Sequence, residues 1–185
     1  DDANAGEAYA ADIDRAIGAL QARNLPLAGF IAESYPSVGG QIEPPAGYLA
    51  SVYARVRAAG GLCIADEVQT GLGRLGDAFW GFETQGAVPD MVVLGKPVGN
   101  GHPIGAVIGK EEVMDAAQSS FISSSYWTER VGFVAGLKTL EIFQRDDVPK
   151  TLLATGKNII NGLRSAIAKT SLDIKVIGID SVPIL

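Results

Sequence analysis

Short apolar runs alternate along this chain with longer segments whose apolar residues recur at helical spacing. Four apolar runs favour buried strands, and they lie at 28–33, 62–65, 91–94 and 104–108. Five segments have the spacing of helices that bury one face, and they lie at about 8–22, 48–56, 111–117, 131–143 and 149–168. Residues 172–177 alternate between apolar and polar, which predicts one more strand. Because strands alternate with helices, the pattern predicts an α/β fold whose parallel or mixed sheet is covered on both faces.

Glycine, proline and changes in composition separate these segments and indicate the domain organisation. Gly60 and Gly61 follow the second predicted helix and have the character of a C-cap. The composition changes at 146–149, where two aspartates precede a valine and a proline. We therefore expect a large domain over 1–147 and the start of a smaller domain over 148–185.

Composition and charge narrow the class of protein. Of 185 residues, 47% are hydrophobic and 19% are charged, which is typical of a globular protein with a buried core. The net charge is −6 without a lysine or arginine cluster, so we expect no nucleic-acid partner. No stretch approaches the roughly 18 apolar residues of a membrane span, so no membrane partner is expected. The single cysteine, Cys63, lies in an apolar run, which favours a cytoplasmic protein without an internal disulfide.

Charged residues stand where three of the predicted strands end. Glu33 and Asp66 close two apolar runs, and Lys96 follows a third within a glycine-rich turn. In parallel sheets, ligands bind beyond the carboxyl ends of the strands. A carboxylate and an amine at this edge suit pyridoxal phosphate, whose aldehyde binds a lysine and whose ring nitrogen needs an acid. The simpler alternatives are a capping or salt-bridging aspartate and an exposed turn lysine.

Other motifs in the chain are spelled like nucleotide-binding or catalytic motifs, but the residues around them do not match what those motifs require. Residues 71–76 spell G-x-G-x-x-G, yet a dinucleotide fingerprint would open a helix directly after a strand. Lys96 is followed by Pro97 rather than by the serine or threonine of a phosphate-binding P-loop. His102 is the only histidine and has too few partner residue types for a triad or a zinc site, so we expect a structural turn residue. The hydroxyl-rich stretch 119–128 can either hold a phosphate or cap the following helix.

Taken together, three stretches resemble the class III (ornithine-type) aminotransferases of fold type I. The stretches read Ala65-Asp66-Glu67-Val68-Gln69-Thr70 with the glycines up to Gly76, then Val88-Pro89-Asp90, then Leu94-Gly95-Lys96 and onward to Ala106. The resemblance covers about 29–143 and implies the fold of the pyridoxal-phosphate transferases. The chain would then hold the central part of the mixed, mainly parallel seven-stranded sheet of the large domain. The start of the small α+β C-terminal domain would follow.

The resemblance also implies roles for residues that match the family motifs. Lys96 corresponds to the Schiff-base lysine, which also moves a proton at the substrate's α-carbon. Asp66 corresponds to the partner of the pyridinium nitrogen. Val68 matches the position that packs against one face of the ring, and Gln69 matches the group that hydrogen-bonds near the phenolic oxygen.

Three further positions are implied by the same resemblance. Glu33 resembles the acid that helps to arrange the substrate site. Ser125 falls where the family often has a threonine whose hydroxyl binds the cofactor phosphate of the neighbouring subunit. Thr128 is the second candidate for that position if the alignment is shifted by a few residues. The implied assembly is a homodimer with its active site at the subunit interface.

Two branches of the family share features with this chain. Residues 32–34, 38–48 and 95–103 look like the alanine–glyoxylate-type aminotransferases and the phospho-lyases that act on phosphoethanolamine or phosphohydroxylysine. Residues 127–130 are more similar to the glutamate-semialdehyde aminomutase type. The function implied first is transfer of an amino group between an amine or amino acid and a keto or aldehyde acceptor. The alternatives are a pyridoxal-phosphate-dependent phospho-lyase and a non-catalytic fragment.

The chain is also shorter than members of this family. It does not begin with methionine, and it lacks the family's upstream glycine-rich phosphate segment and its carboxylate-binding arginine. We therefore expect a fragment that is inactive in isolation.

Overall fold

The computed structural model describes residues 4–37, 39–76, 78–126 and 129–185. Six α-helices are present in these ranges: α1 Ala5–Ala10, α2 Asp12–Gln21, α3 Tyr48–Ala58, α4 Glu111–Met114, α5 Val131–Asp146 and α6 Val148–Ile167. Six strands accompany them: β1 Gly29–Glu33, β2 Leu62–Asp66, β3 Met91–Leu94, β4 Ala106–Gly109, β5 Ile177–Ile179 and β6 Val182–Ile184. Two 3₁₀ helices cover Gly81–Gln85 and Asp115–Ser119.

The central sheet contains four strands in the order β1-β2-β3-β4. Strands β1, β2 and β3 are parallel, and β4 runs antiparallel to β3. The register places Glu33 opposite Asp66, and Asp66 opposite Val93. This arrangement confirms the predicted α/β fold with a mixed, mainly parallel sheet.

The core lies between α3 and the sheet. Leu49, Val52, Tyr53 and Val56 recur at helical spacing on one face of α3, and each is at most 1% exposed. They belong to one cluster with Cys63 and other residues of β2 and β3. Full burial of such apolar side chains contributes about 1.5–3 kcal/mol each, so this helix face anchors the sheet.

Turn chemistry ends α3 as the sequence predicts. Gly60 adopts a φ of +84°, and its N–H donates to the carbonyl of Arg57 at 2.9 Å. Such a left-handed conformation at a helix C-terminus favours glycine because other residues carry a Cβ that is crowded there.

The single thiol belongs to the core. Cys63 is free and fully buried, and its Sγ donates to the carbonyl of Tyr53 at 3.6 Å. Burial raises the pKa of the Cys63 thiol to about 11. The thiol therefore stays protonated at neutral pH and acts as a packing residue.

Three predicted elements differ from the observed ones. The helix expected over 111–117 is an α-helix only up to Met114, and a 3₁₀ helix begins at Asp115. The helix expected over 8–22 is divided at Ala11 into α1 and α2. The strand expected over 172–177 is wrong, because strand structure begins only at Ile177, where Ile184 of β6 pairs with it. Alternation alone gave no information about where a pairing partner begins. Among the described residues, no helix combines the length and the apolar character required to cross a membrane.

Asp90 connects the core strands to the surface of the sheet. Its Oδ2 accepts a hydrogen bond from the Cys63 N–H at 2.8 Å, and its Oδ1 lies 2.7 Å from Lys110 Nζ and 3.1 Å from Arg57 Nη2. Burial raises the pKa of Asp90, but hydrogen bonds from Lys110, the Cys63 N–H and Arg57 outweigh it and lower the pKa to about 2. The ionised carboxylate therefore stabilises the folded state.

We expect Asp90→Asn to remove a pH-dependent part of this stability. Because the folded pKa of about 2 lies below the ordinary value of 3.8, the stabilisation is complete above that value and is lost as the pH falls through 2. The difference in free energy of unfolding between wild type and Asp90→Asn should therefore narrow by about 2 kcal/mol from about pH 5 to about pH 2. Urea unfolding across that range measures it, with Asp173→Asn as an exposed control. A difference that stays constant with pH would contradict the assignment.

Candidate functional site

The carboxyl ends of β1, β2 and β3 meet at one edge of the sheet. Glu33 is the last residue of β1, and Asp66 is the last residue of β2 directly opposite. Lys96 follows two positions after Leu94, the last residue of β3. The structure thus places the three charged residues singled out from the sequence at the same edge.

Lys96 lies in a tightly folded turn between β3 and β4. Its φ is +20°, which is uncommon for a residue with a side chain. The Val98 N–H closes the turn onto the Gly95 carbonyl at 2.9 Å. At Gly99, a Cβ would lie only 2.1 Å from the carbonyl oxygen of His102, so glycine is required there. The lysine itself is exposed and is held at a defined place by its backbone.

Asp66 is partly buried and makes a local contact at its strand end. Its Oδ1 accepts a hydrogen bond from the Val68 N–H at 3.0 Å. This is the loop-capping contact that the sequence left open. It uses one carboxylate oxygen, and within the described residues no hydrogen bond to Oδ2 is present.

The next residue, Glu67, is fully buried. Each of its carboxylate oxygens accepts two hydrogen bonds. The donors are Ser34 Oγ at 2.5 Å and the Phe82 N–H at 3.0 Å on Oε1, and Thr70 Oγ1 at 2.7 Å and the Gly81 N–H at 2.8 Å on Oε2. Glu67 therefore joins the end of β1, the glycine-rich loop and the 3₁₀ helix at Gly81–Gln85. Sequence reasoning missed this role, because most of its donors come from segments that are distant in the sequence.

A chain of hydrogen bonds links Glu33 to Gln69. The N–H and the hydroxyl of Ser37 both donate to Glu33 Oε2, at 2.5 and 2.9 Å. The Ser37 oxygen in turn accepts from Gln69 Nε2 at 2.6 Å. Glu33 is thus connected to the cavity residue Gln69 through Ser37.

A cavity of about 430 Å³ opens at this edge. Lys96, Val68 and Gln69 line it together, so three of the predicted site residues share one space. A Cβ on Gly95 would lie 3.2 Å from Val68 Cγ1, which shows that the valine packs beneath the lysine turn. Asp66 does not line the cavity. It lies two residues before Val68, which does.

Part of the cavity wall was not predicted. Arg74 and Asn100 contribute from the two glycine-rich segments, and helices α5 and α6 contribute Phe143 and Leu152 among others. The glycines around Arg74 and Asn100 could have indicated that these two residues lie close to a ligand site. The helix residues carry no motif, because they reach the site only through tertiary packing.

Of the two predicted phosphate-binding hydroxyls, the structure describes that of Ser125. Ser125 is exposed in the stretch before α5 and does not line the cavity. Thr128 lies outside the residues that the structure describes. Their proposed roles stay predictions.

The residues at this edge fit pyridoxal phosphate. The cavity volume lies within the range of about 300–1,000 Å³ that is usual for small-molecule sites. The cavity is lined by the amine of Lys96, the apolar side chain of Val68 and the amide of Gln69, groups that could hold an aldehyde, a ring face and a ring oxygen. Asp66 has a carboxylate oxygen to spare for the ring nitrogen.

Comparison with known proteins identifies the family. The family model described as aminotransferase class-III matches residues 2–179, so the chain belongs to the class III aminotransferases. A curated relative from Drosophila melanogaster, "Alanine--glyoxylate aminotransferase 2-like", is 40% identical over 161 residues, which are 86% of this chain and 33% of the relative. The chain thus spans about a third of that relative's length.

Solved structures show the same likeness. A phospholyase from Arthrobacter in complex with phosphoethanolamine superimposes with a TM-score of 0.84 at 34% identity, covering 97% of this chain and 43% of that one. The ornithine aminotransferase from Toxoplasma gondii, reported with partial occupancy of PLP at its active site, gives a TM-score of 0.76 at 26% identity, covering 90% and 39%. The predicted family and its cofactor, pyridoxal phosphate, are confirmed.

We expect substitutions of Asp66 and Glu67 to change the free energy of unfolding by different amounts. Glu67→Gln should lower the free energy of unfolding by about 2–4 kcal/mol, because its amide N–H groups would face donors in a buried site. Asp66→Asn should change it by less than about 1 kcal/mol, since that side chain is partly exposed and makes one local contact. Urea unfolding of both variants tests this. Equal losses in the two variants would show that Glu67 is not the structural acid.

Proposed function

We propose that this chain carries the central part of the site of a pyridoxal-phosphate-dependent transaminase. The reaction transfers an amino group between an amine or amino acid and a keto or aldehyde acceptor. The observation that carries the proposal is the shared cavity of Lys96, Val68 and Gln69 beside Asp66 at the carboxyl edge of the sheet.

Each of these residues has a defined task in that reaction. Lys96 would hold the cofactor through Nζ and, once released, would take the proton from the α-carbon of the amino donor and later give one to the α-carbon of the product formed from the acceptor. Asp66 keeps the ring nitrogen protonated, because an opposite charge nearby favours the charged form. The bound cofactor supplies the electron sink for the charge left when the proton departs. Val68 would pack against one face of the ring, and Gln69 would donate a hydrogen bond to the ring's phenolic oxygen.

We expect Lys96→Ala to abolish covalent attachment of the cofactor. Borohydride reduction of protein titrated with pyridoxal phosphate traps the linkage, and peptide mass spectrometry locates it. In wild type the modified peptide should contain Lys96, and the visible absorption band should saturate. Lys138→Ala is the matched control, since Lys138 is an exposed lysine paired with Glu141 on α5. A visible band that persists in Lys96→Ala would refute the assignment.

A phospho-lyase on the same scaffold is the second candidate. The structural likeness to the Arthrobacter phospholyase, with a TM-score of 0.84, favours it. Such an enzyme would remove phosphate from the β-carbon of its substrate and would not transfer nitrogen. The residues that hold the cofactor would be the same, so the cavity alone does not separate the two reactions.

A single half-reaction on cofactor-loaded protein separates them. A transaminase passes the amino group of a donor to the cofactor, so we expect the visible band to disappear without release of phosphate. Phosphate released from phosphoethanolamine, with the band retained, would favour the lyase. Absence of any saturable band would favour the non-catalytic fragment. Robust multiple turnover would refute our expectation that the 185-residue chain is inactive alone.

A homodimer with the active site at the subunit interface is part of the proposal. Large apolar side chains are exposed on and before α5, with Phe121 96% and Leu137 70% exposed. Such exposure is typical of surfaces that pair. Ser125, in the same region, would bind the cofactor phosphate of the neighbouring subunit. Sedimentation measurements test this, and a species that stays at the 19.2 kDa of one chain would contradict it.

The domain boundary and the location in the cell complete the proposal. We place the start of the small domain at residue 148, where α6 follows α5 after Asp147. Cleavage of the folded protein elsewhere in limited proteolysis would count against this boundary. The cytoplasmic location stays a prediction that cell fractionation tests.

A further inference from the structure

We propose that Ser37 is a positioning residue that determines which end of the Gln69 amide can donate toward the cavity beside Lys96. Nothing in the motifs singled out Ser37, which lies in the loop after β1. The inference rests on the proposed function in one respect, namely that the cavity holds a cofactor with an anionic ring oxygen. The orientation of the amide follows from the hydrogen bonds themselves.

Glu33 sets the donor-to-acceptor direction of the hydrogen bonds that link it to Gln69. An ionised carboxylate can only accept hydrogen bonds. Both the N–H and the hydroxyl of Ser37 donate to Glu33 Oε2, at 2.5 and 2.9 Å. The hydroxyl carries a single hydrogen, so its oxygen is left as an acceptor only.

The acceptor oxygen of Ser37 then selects the nitrogen end of Gln69. Nε2 lies 2.6 Å from Ser37 Oγ, which is a short hydrogen bond. The flipped amide would bring Oε1 against Oγ, and two acceptors without a hydrogen between them repel each other. The carboxylate of Glu33 therefore fixes the orientation of the Gln69 amide through the hydroxyl of Ser37.

The position of Gln69 makes this orientation relevant to chemistry. Gln69 lines the 430 Å³ cavity together with Lys96, and it also lines a smaller cavity of about 90 Å³ to which Ser37 contributes. Gln69 thus borders both the site of Lys96 and the space beside Ser37. Nε2 carries two hydrogens, and Ser37 takes one of them. The second remains for an acceptor such as a phenolate oxygen.

NMR of the Gln69 side-chain amide tests the orientation without any cofactor. In wild type its two Nε2 protons should be well separated, with contacts to the Ser37 β-protons. In Ser37→Ala they should move to the values of an exposed glutamine such as Gln21, and Ser37→Thr should restore them. Ser51→Ala is the matched control, because the Ser51 hydroxyl also donates to a glutamate, Glu7, but lies on α3 away from the cavity.

The cofactor gives a second readout. Loss of a donor to an anionic ring oxygen should raise the pH midpoint of the visible band by about half to one unit in Ser37→Ala, and Ser37→Thr should reverse it. Unchanged Gln69 signals in a folded Ser37→Ala variant would overturn the inference. A wild type that never traps the cofactor on Lys96 would instead overturn the proposed function, while the NMR result would still decide the role of Ser37.

Discussion

The buried carboxylate of Glu67 is the interaction on which the arrangement of the site depends. A carboxylate without water is costly, and four donors compensate for it here. Those donors come from the end of β1, the glycine-rich loop and the 3₁₀ helix. Because Glu67 must face this cluster, the residue on each side of it, Asp66 and Val68, is directed elsewhere. Glu67 thereby positions Asp66 and Val68 at the carboxyl edge of the sheet.

The site itself combines rigid and exposed parts. Lys96 is exposed, but its turn is closed by backbone hydrogen bonds and by the close contact at Gly99. Gln69 is held through Ser37 by the charge of Glu33. A side chain that must contact a ligand gains precision from such support, because fewer conformations compete with the productive one. The supporting residues are therefore as much a part of the site as those that line it.

Sequence patterns predicted the site where the signal was local. An apolar run that stops on a charge is visible in a few residues, so Glu33, Asp66 and Lys96 could be placed at strand ends. The different roles of Asp66 and Glu67 could not be predicted, because two adjacent acids look alike until their partners are known. Phe143 and Leu152 reach the cavity only through the packing of α5 and α6. The strand expected over 172–177 failed for a similar reason, since pairing depends on β6.

The reversal of direction between β3 and β4 has a mechanical consequence. A parallel neighbour would need a crossover of about a dozen residues or more, commonly a helix, before the chain could return to the sheet. Here Leu94 pairs directly with Ala106, so the connection leaves and re-enters the sheet at the same end. Lys96 thus lies on a loop whose two ends are paired with each other in the sheet. An insertion in this loop would therefore displace Lys96 from the cavity that it lines with Val68 and Gln69.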